Sequence, residues 1–191
     1  YYLFLISIFF IGRLGLFILY FDRLENSDIN YLLTFAYGLK MDTMAASILL
    51  ILPFYILTLV PKLFDKIADT ILKYYFVIIL GVAIYMEIAT YPFIAQYDVR
   101  PNFLFVEYLQ YPKEVFSMIF ADYKVELLFA LVVISSFILW YFKSYKNDFV
   151  KVFKVTYIKR TLLFFPIFFL LFIGIRSSFG HRPANLSDAM I

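Results

Sequence analysis

Apolar residues in this chain come in long blocks, and the blocks have the length of a bilayer crossing. A spanning helix needs about 20 mostly apolar residues. Five segments meet or approach that length: 1–21, 43–60, 74–92, 125–142 and 157–175. The fifth is the weakest. Its unbroken apolar stretch, Thr161 to Ile175, rises only ~22 Å as a helix, so Tyr157 and Ile158 are expected to extend it. Pro53 and Pro166 fall inside the second and fifth segments, where a kink is tolerated if neighbours satisfy the freed carbonyls. The pattern predicts an all-α integral membrane protein with five transmembrane helices in one domain, 1–175, followed by a linker, 176–191.

The polar positions between the blocks set an orientation. Lys143, Lys146, Lys151, Lys154, Lys159 and Arg160 crowd the fourth connection, opposed only by Asp148, and Lys62, Lys66 and Lys73 lie in the second. The other two connections mix both signs. The positive-inside rule then places both lysine-rich loops and the N-terminus in the cytoplasm and the C-terminus outside. The exterior loop 93–124 is itself patterned. Asn102 suits a helix N-cap and Pro112 a first helical turn, so two short amphipathic aromatic helices are expected in the outer interface. Residues 29–41 are expected to make a similar interfacial approach to the second span.

Composition narrows the class further. Of 191 residues 64% are apolar and 16% charged, against about 45–50% and ~25% in soluble domains. A soluble globule would expose large apolar patches, and a disordered chain would be poor in hydrophobes. Cysteine is absent and His181 is the single histidine, which excludes disulfides, thiolate chemistry and a multi-histidine metal site within this chain. The chain opens on Tyr1 within an apolar run and ends on Ile191 in a polar stretch, and it reads as a piece of a longer protein.

Charges inside a bilayer are costly and find partners. Arg13 and Glu87 are expected to form a buried polar cluster in the outer half of the bundle, with Asp42 nearby; a plain helix-packing ion pair is the competing explanation. Lys40 and Asp42 mark the entrance of span two. Asp42 fits a helix N-terminus and Lys40 a lipid phosphate or an ordinary interfacial anchor. Arg100, beside Pro101 and Asn102, fits an anionic headgroup or a local pair with Asp98. Arg176, His181 and Arg182 follow the last span and fit phosphate binding, docking of a following domain, or a solvated linker. No phosphate-cradling glycine loop, H-E-x-x-H or nucleophile elbow occurs. Nucleic acid is not an expected partner, because anionic lipid accounts for the basic loops.

Three stretches together carry a resemblance: Gly38-x-Lys40-x-Asp42, YDVRPNFLFVEYLQYPKEVFSM (97–118) and RSSFGHRPANLSDA (176–189). They resemble the N-terminal membrane portion of the lipoteichoic-acid-synthase-like family, within the sulfatase and alkaline-phosphatase superfamily. The resemblance implies a five-span anchor in a bacterial cell membrane, followed by an extracellular or periplasmic catalytic domain. That domain would use a divalent metal, typically manganese, and a threonine or serine nucleophile to transfer phosphoglycerol or a related group from a phospholipid. Neither the nucleophile nor the metal ligands fall in this chain, so no catalytic residue is assigned. The partners implied are anionic membrane lipids and the protein's own catalytic domain. Anchoring a sulfate- or phosphate-ester hydrolase is the alternative within the superfamily. A transporter, or a scaffold that self-associates through its aromatic faces, is the alternative of another class.

Overall fold

In a bilayer every backbone N–H and C=O must be satisfied within the protein, and a helix does so within one segment. The computed structural model describes residues 1–21, 31–97 and 110–176, and among them every regular element is helical. The helices are α1 (Tyr2–Leu19), α2 (Tyr31–Leu59), α3 (Asp65–Tyr97), α4 (Pro112–Asp122), α5 (Lys124–Ser144), α6 (Asp148–Phe153) and α7 (Tyr157–Arg176). A 3₁₀ turn, Lys62–Phe64, joins α2 to α3. By length and composition α1, α2, α3, α5 and α7 are able to cross a membrane. The protein is an all-α, multi-pass membrane protein.

Two spans are longer than the hydropathy blocks. The segment 29–41, expected as a separate interfacial approach, is from Tyr31 onward the start of α2 itself. Nothing in it breaks a helix: it holds no proline and a single glycine, Gly38. α3 likewise runs through Pro92 to Tyr97. With 29 and 33 residues, these helices extend for roughly 44 and 50 Å, beyond a hydrocarbon core of about 30 Å. Their ends must tilt or project into the headgroups. Pro61 follows α2, and its missing N–H suits a helix end. Asn147, with φ of 51°, takes the left-handed turn that starts α6, a conformation asparagine tolerates.

The chain falls into two compact units. The first comprises Tyr1–Ile79 and the chain from Tyr145 on. Its central element is α2, against which α1, α6 and α7 pack. Leu5, Ala46, Leu72, Phe76 and Phe153 are its most enclosed apolar side chains. The Tyr1 ring stacks on Phe76 at 3.8 Å, and the Phe149 ring lies 5.3 Å from Tyr1. α7 reaches α2 closely where Gly174 faces Ser47; a Cβ at Gly174 would fall on the Ser47 hydroxyl. Small residues at such a contact let two membrane helices approach.

The second unit is Leu80–Ser144: the rest of α3, then α4 and α5. α4 begins with Pro112 in its first turn, as the sequence predicts, and packs on α5. The first of the two interfacial helices expected in 93–124, with its cap Asn102, lies outside the described residues.

Candidate functional site

Asp42 sits well inside α2 rather than at a helix N-terminus, so the macrodipole does not account for it. Its carboxylate instead accepts a 2.7 Å hydrogen bond from Arg13 Nη2 on α1. Both side chains are about nine-tenths enclosed, at 11% and 9% exposure. Gly38, one turn before Asp42, completes the arrangement: a Cβ there would fall on the Arg13 guanidinium. The glycine therefore opens the space through which the cation crosses α2. This geometry follows from chain direction, since side chains on α1 lean toward its N-terminus and so toward Asp42. Arg13 Nη1 is buried and has no hydrogen-bond partner among the described residues. Lys40 is half-buried two residues from Asp42. Arg176 is exposed at the end of α7, just beyond the Gly174–Ser47 contact.

Glu87 belongs to the second unit, on α3, and its Oε2 is buried. That unit holds a cavity of about 260 Å³ lined mainly by Tyr85, Phe93, Tyr97, Tyr111 and Tyr123, with Gln96 and Glu126 as its polar members. Tyr123 donates a 3.2 Å hydrogen bond to Gln96 Oε1, joining the α4–α5 turn to α3. The walls suit an apolar chain, and the amide and carboxylate suit hydroxyl or amine groups.

One buried charge, Arg160, reads in the sequence only as a loop charge, and a second, Asp69, is not singled out there. Arg160 is buried, at 4% exposure, and donates from Nη1 to the carbonyls of Leu57 and Val60 at 2.9 and 3.1 Å. It caps the C-terminal end of α2, and its guanidinium lies 4.9 Å from the Phe153 ring and 5.3 Å from that of Tyr157. Asp69 is buried and accepts from the Tyr145 hydroxyl at 2.7 Å and from the Val150 N–H at 3.2 Å. Burial, and then the bond to Asp69 and its charge, push the Tyr145 phenol well above its ordinary value. The available signal was helical spacing: Arg160 shares the stripe of Leu163, Ile167 and Leu171, and Asp69 that of Leu72, Phe76 and Leu80.

Arg100, Asn102, His181 and Arg182 lie outside the described residues. Among the described residues no three His, Asp or Glu side chains gather as a metal site, so these residues do not fit a manganese centre. The fold and these sites define a multi-pass helical membrane protein with buried charges at two levels of its first unit. No protein-family model and no solved structure matches the chain.

Proposed function

We propose that this chain is the membrane domain of a sulfatase-superfamily transferase that moves phosphoglycerol or phosphoethanolamine from a phospholipid. It anchors an exterior, metal-dependent catalytic domain and presents the lipid to it. The lysine-rich loops face the cytoplasm of a bacterial cell and the chain leaves α7 on the outer side.

The resemblance of 97–118 and 176–189 motivates this reading, and the tyrosine-lined cavity of the second unit is the observation that carries it. The cavity is lined by the ends of α3 and α5 that border 97–118 in the sequence. A lipid chain would fill its apolar walls, and Gln96 and Glu126 would meet the hydroxyls or amine of the headgroup. Every metal-dependent step belongs to the proposed catalytic domain, and none is assigned to these residues.

The test uses the full-length protein in proteoliposomes with headgroup-labelled phosphatidylglycerol. Substitution Ala89→Leu, on the cavity wall, is expected to lower release of the labelled headgroup at normal expression. Arg100→Ala and Arg182→Ala report on headgroup or domain contacts, and unchanged turnover would remove those two roles. Absence of any headgroup release by the wild-type protein with manganese present would overturn the transferase reading.

A further inference from the structure

A second cavity, of about 300 Å³, lies in the first unit at the other end of α2 from Asp42. Arg160, Leu163, Ile167 and Leu171 line it from α7 at spacings of three and four residues, so they form one stripe. From Arg160 to Leu171 that stripe rises roughly 16 Å. Leu50, Phe54 and Leu57 supply the facing wall from α2. Leu163 and Ile167 are 51% and 38% exposed, which leaves the cavity open along α7 to the surrounding lipid.

The cavity is lined mainly by apolar side chains, with Tyr1 and Thr58 in the wall and Arg160 as its one charged member. That guanidinium makes two carbonyl bonds and two ring contacts, yet no carboxylate pairs with it among the described residues. Its Nε is buried with no hydrogen-bond partner among them. Two helix-end carbonyls supply only about half a negative charge. A buried cation lacking a full counter-charge is expensive, and an anion at this position would remove the cost. The neighbouring connections carry Lys62, Lys66, Lys151, Lys154 and Lys159, an environment that concentrates anionic lipid.

We propose that this cavity binds an anionic phospholipid from the leaflet on the lysine-rich side, with its phosphate at Arg160 and one acyl chain along Leu163, Ile167 and Leu171. The phosphate completes the guanidinium's hydrogen bonding, and the chain fills a slot that runs into the bilayer from headgroup level. This lipid is a structural ligand, distinct from the substrate proposed for the second unit, and the site does not depend on the transferase reading.

The chain is reconstituted in nanodiscs of equal phosphatidylglycerol and phosphatidylcholine, then released into mild detergent for native mass spectrometry. Wild type is expected to retain one phosphatidylglycerol per chain, favoured over phosphatidylcholine by about tenfold, equivalent to ~1.4 kcal/mol. Arg160→Gln should abolish the preference and Arg160→Lys keep part of it. Leu163→Trp leaves the charge in place but fills an exposed part of the slot, so it should expel the lipid even if Arg160→Gln fails to fold. Equal retention of the two lipids by wild type would overturn the proposal. So would unchanged phosphatidylglycerol retention in Leu163→Trp, or a lipid-free dimer, which would place a second copy in the slot.

Discussion

The Arg13 guanidinium and the Asp42 carboxylate meet at 2.7 Å across the α1–α2 contact, each about nine-tenths enclosed. Removing one member leaves the other as a buried, uncompensated charge, a loss of about 3–5 kcal/mol where such pairs have been broken. Asp42→Asn is therefore expected to lower the thermal unfolding midpoint in detergent sharply, followed by far-ultraviolet circular dichroism. The double substitution Arg13→Met with Asp42→Leu should recover most of that loss, because apolar side chains need no counter-charge. A double variant as unstable as Asp42→Asn would show that the pair is not what Asp42 serves.

Gly38 supplies a second, sharper test, because two effects of adding a methyl group oppose each other. Alanine is favoured over glycine within a helix by about 0.5–1 kcal/mol. A Cβ at Gly38, however, would occupy the place of the Arg13 guanidinium, and overpacking typically costs ~1–3 kcal/mol. Gly38→Ala should lower the unfolding midpoint in the wild-type chain and raise it in an Arg13→Met background. The same sign in both backgrounds would mean that the guanidinium does not lie across Gly38.

Tyr145 and Asp69 give a pH-dependent expectation. The phenol is held above its ordinary value, so the folded chain keeps that proton when the unfolded chain begins to lose it near 10.0. The stabilisation is fully present below that pH and declines as pH rises through the folded-state value. Tyr145→Phe should cost ~1 kcal/mol at neutral pH, the typical net worth of a hydrogen bond at a partly exposed site. The gap between wild type and Tyr145→Phe should stay level from neutrality to about 9 and narrow above 10, read from unfolding midpoints across pH. A gap that widens with alkalinity would contradict the assigned hydrogen bond.

The five spans are legible in the sequence because a bilayer demands uninterrupted apolar length, and that property is local. Helix ends are less legible. Tyr31 to Met41 is mostly apolar with Lys40 as its one charge, and it reads as an interfacial approach; nothing there stops a helix, so it belongs to α2 and Asp42 becomes an interior residue. Arg13 was recognisable as a charge needing a partner, whereas the partner depends on which helices adjoin. Spacing points to Glu87 first, with Asp42 only nearby, and it is the α1–α2 contact that brings Asp42 to the arginine. Arg160 was grouped with Lys159 by sign and position, and only its apolar stripe separates a buried cation from its solvated neighbour. The division into two units was illegible for a related reason. Tyr1 stacks on Phe76 and lies near Phe149, and no local pattern announces contacts across such separations.

The bonds from Arg160 to Leu57 and Val60 close across 103 and 100 residues. During synthesis at about 5–20 residues per second, the end of α2 therefore waits roughly 5–20 s for its arginine. The whole of Leu80–Ser144 is made within that interval, so the unit that starts first is the last to be finished. Until α7 arrives, those carbonyls must be served by water, headgroups or a temporary companion of the nascent chain.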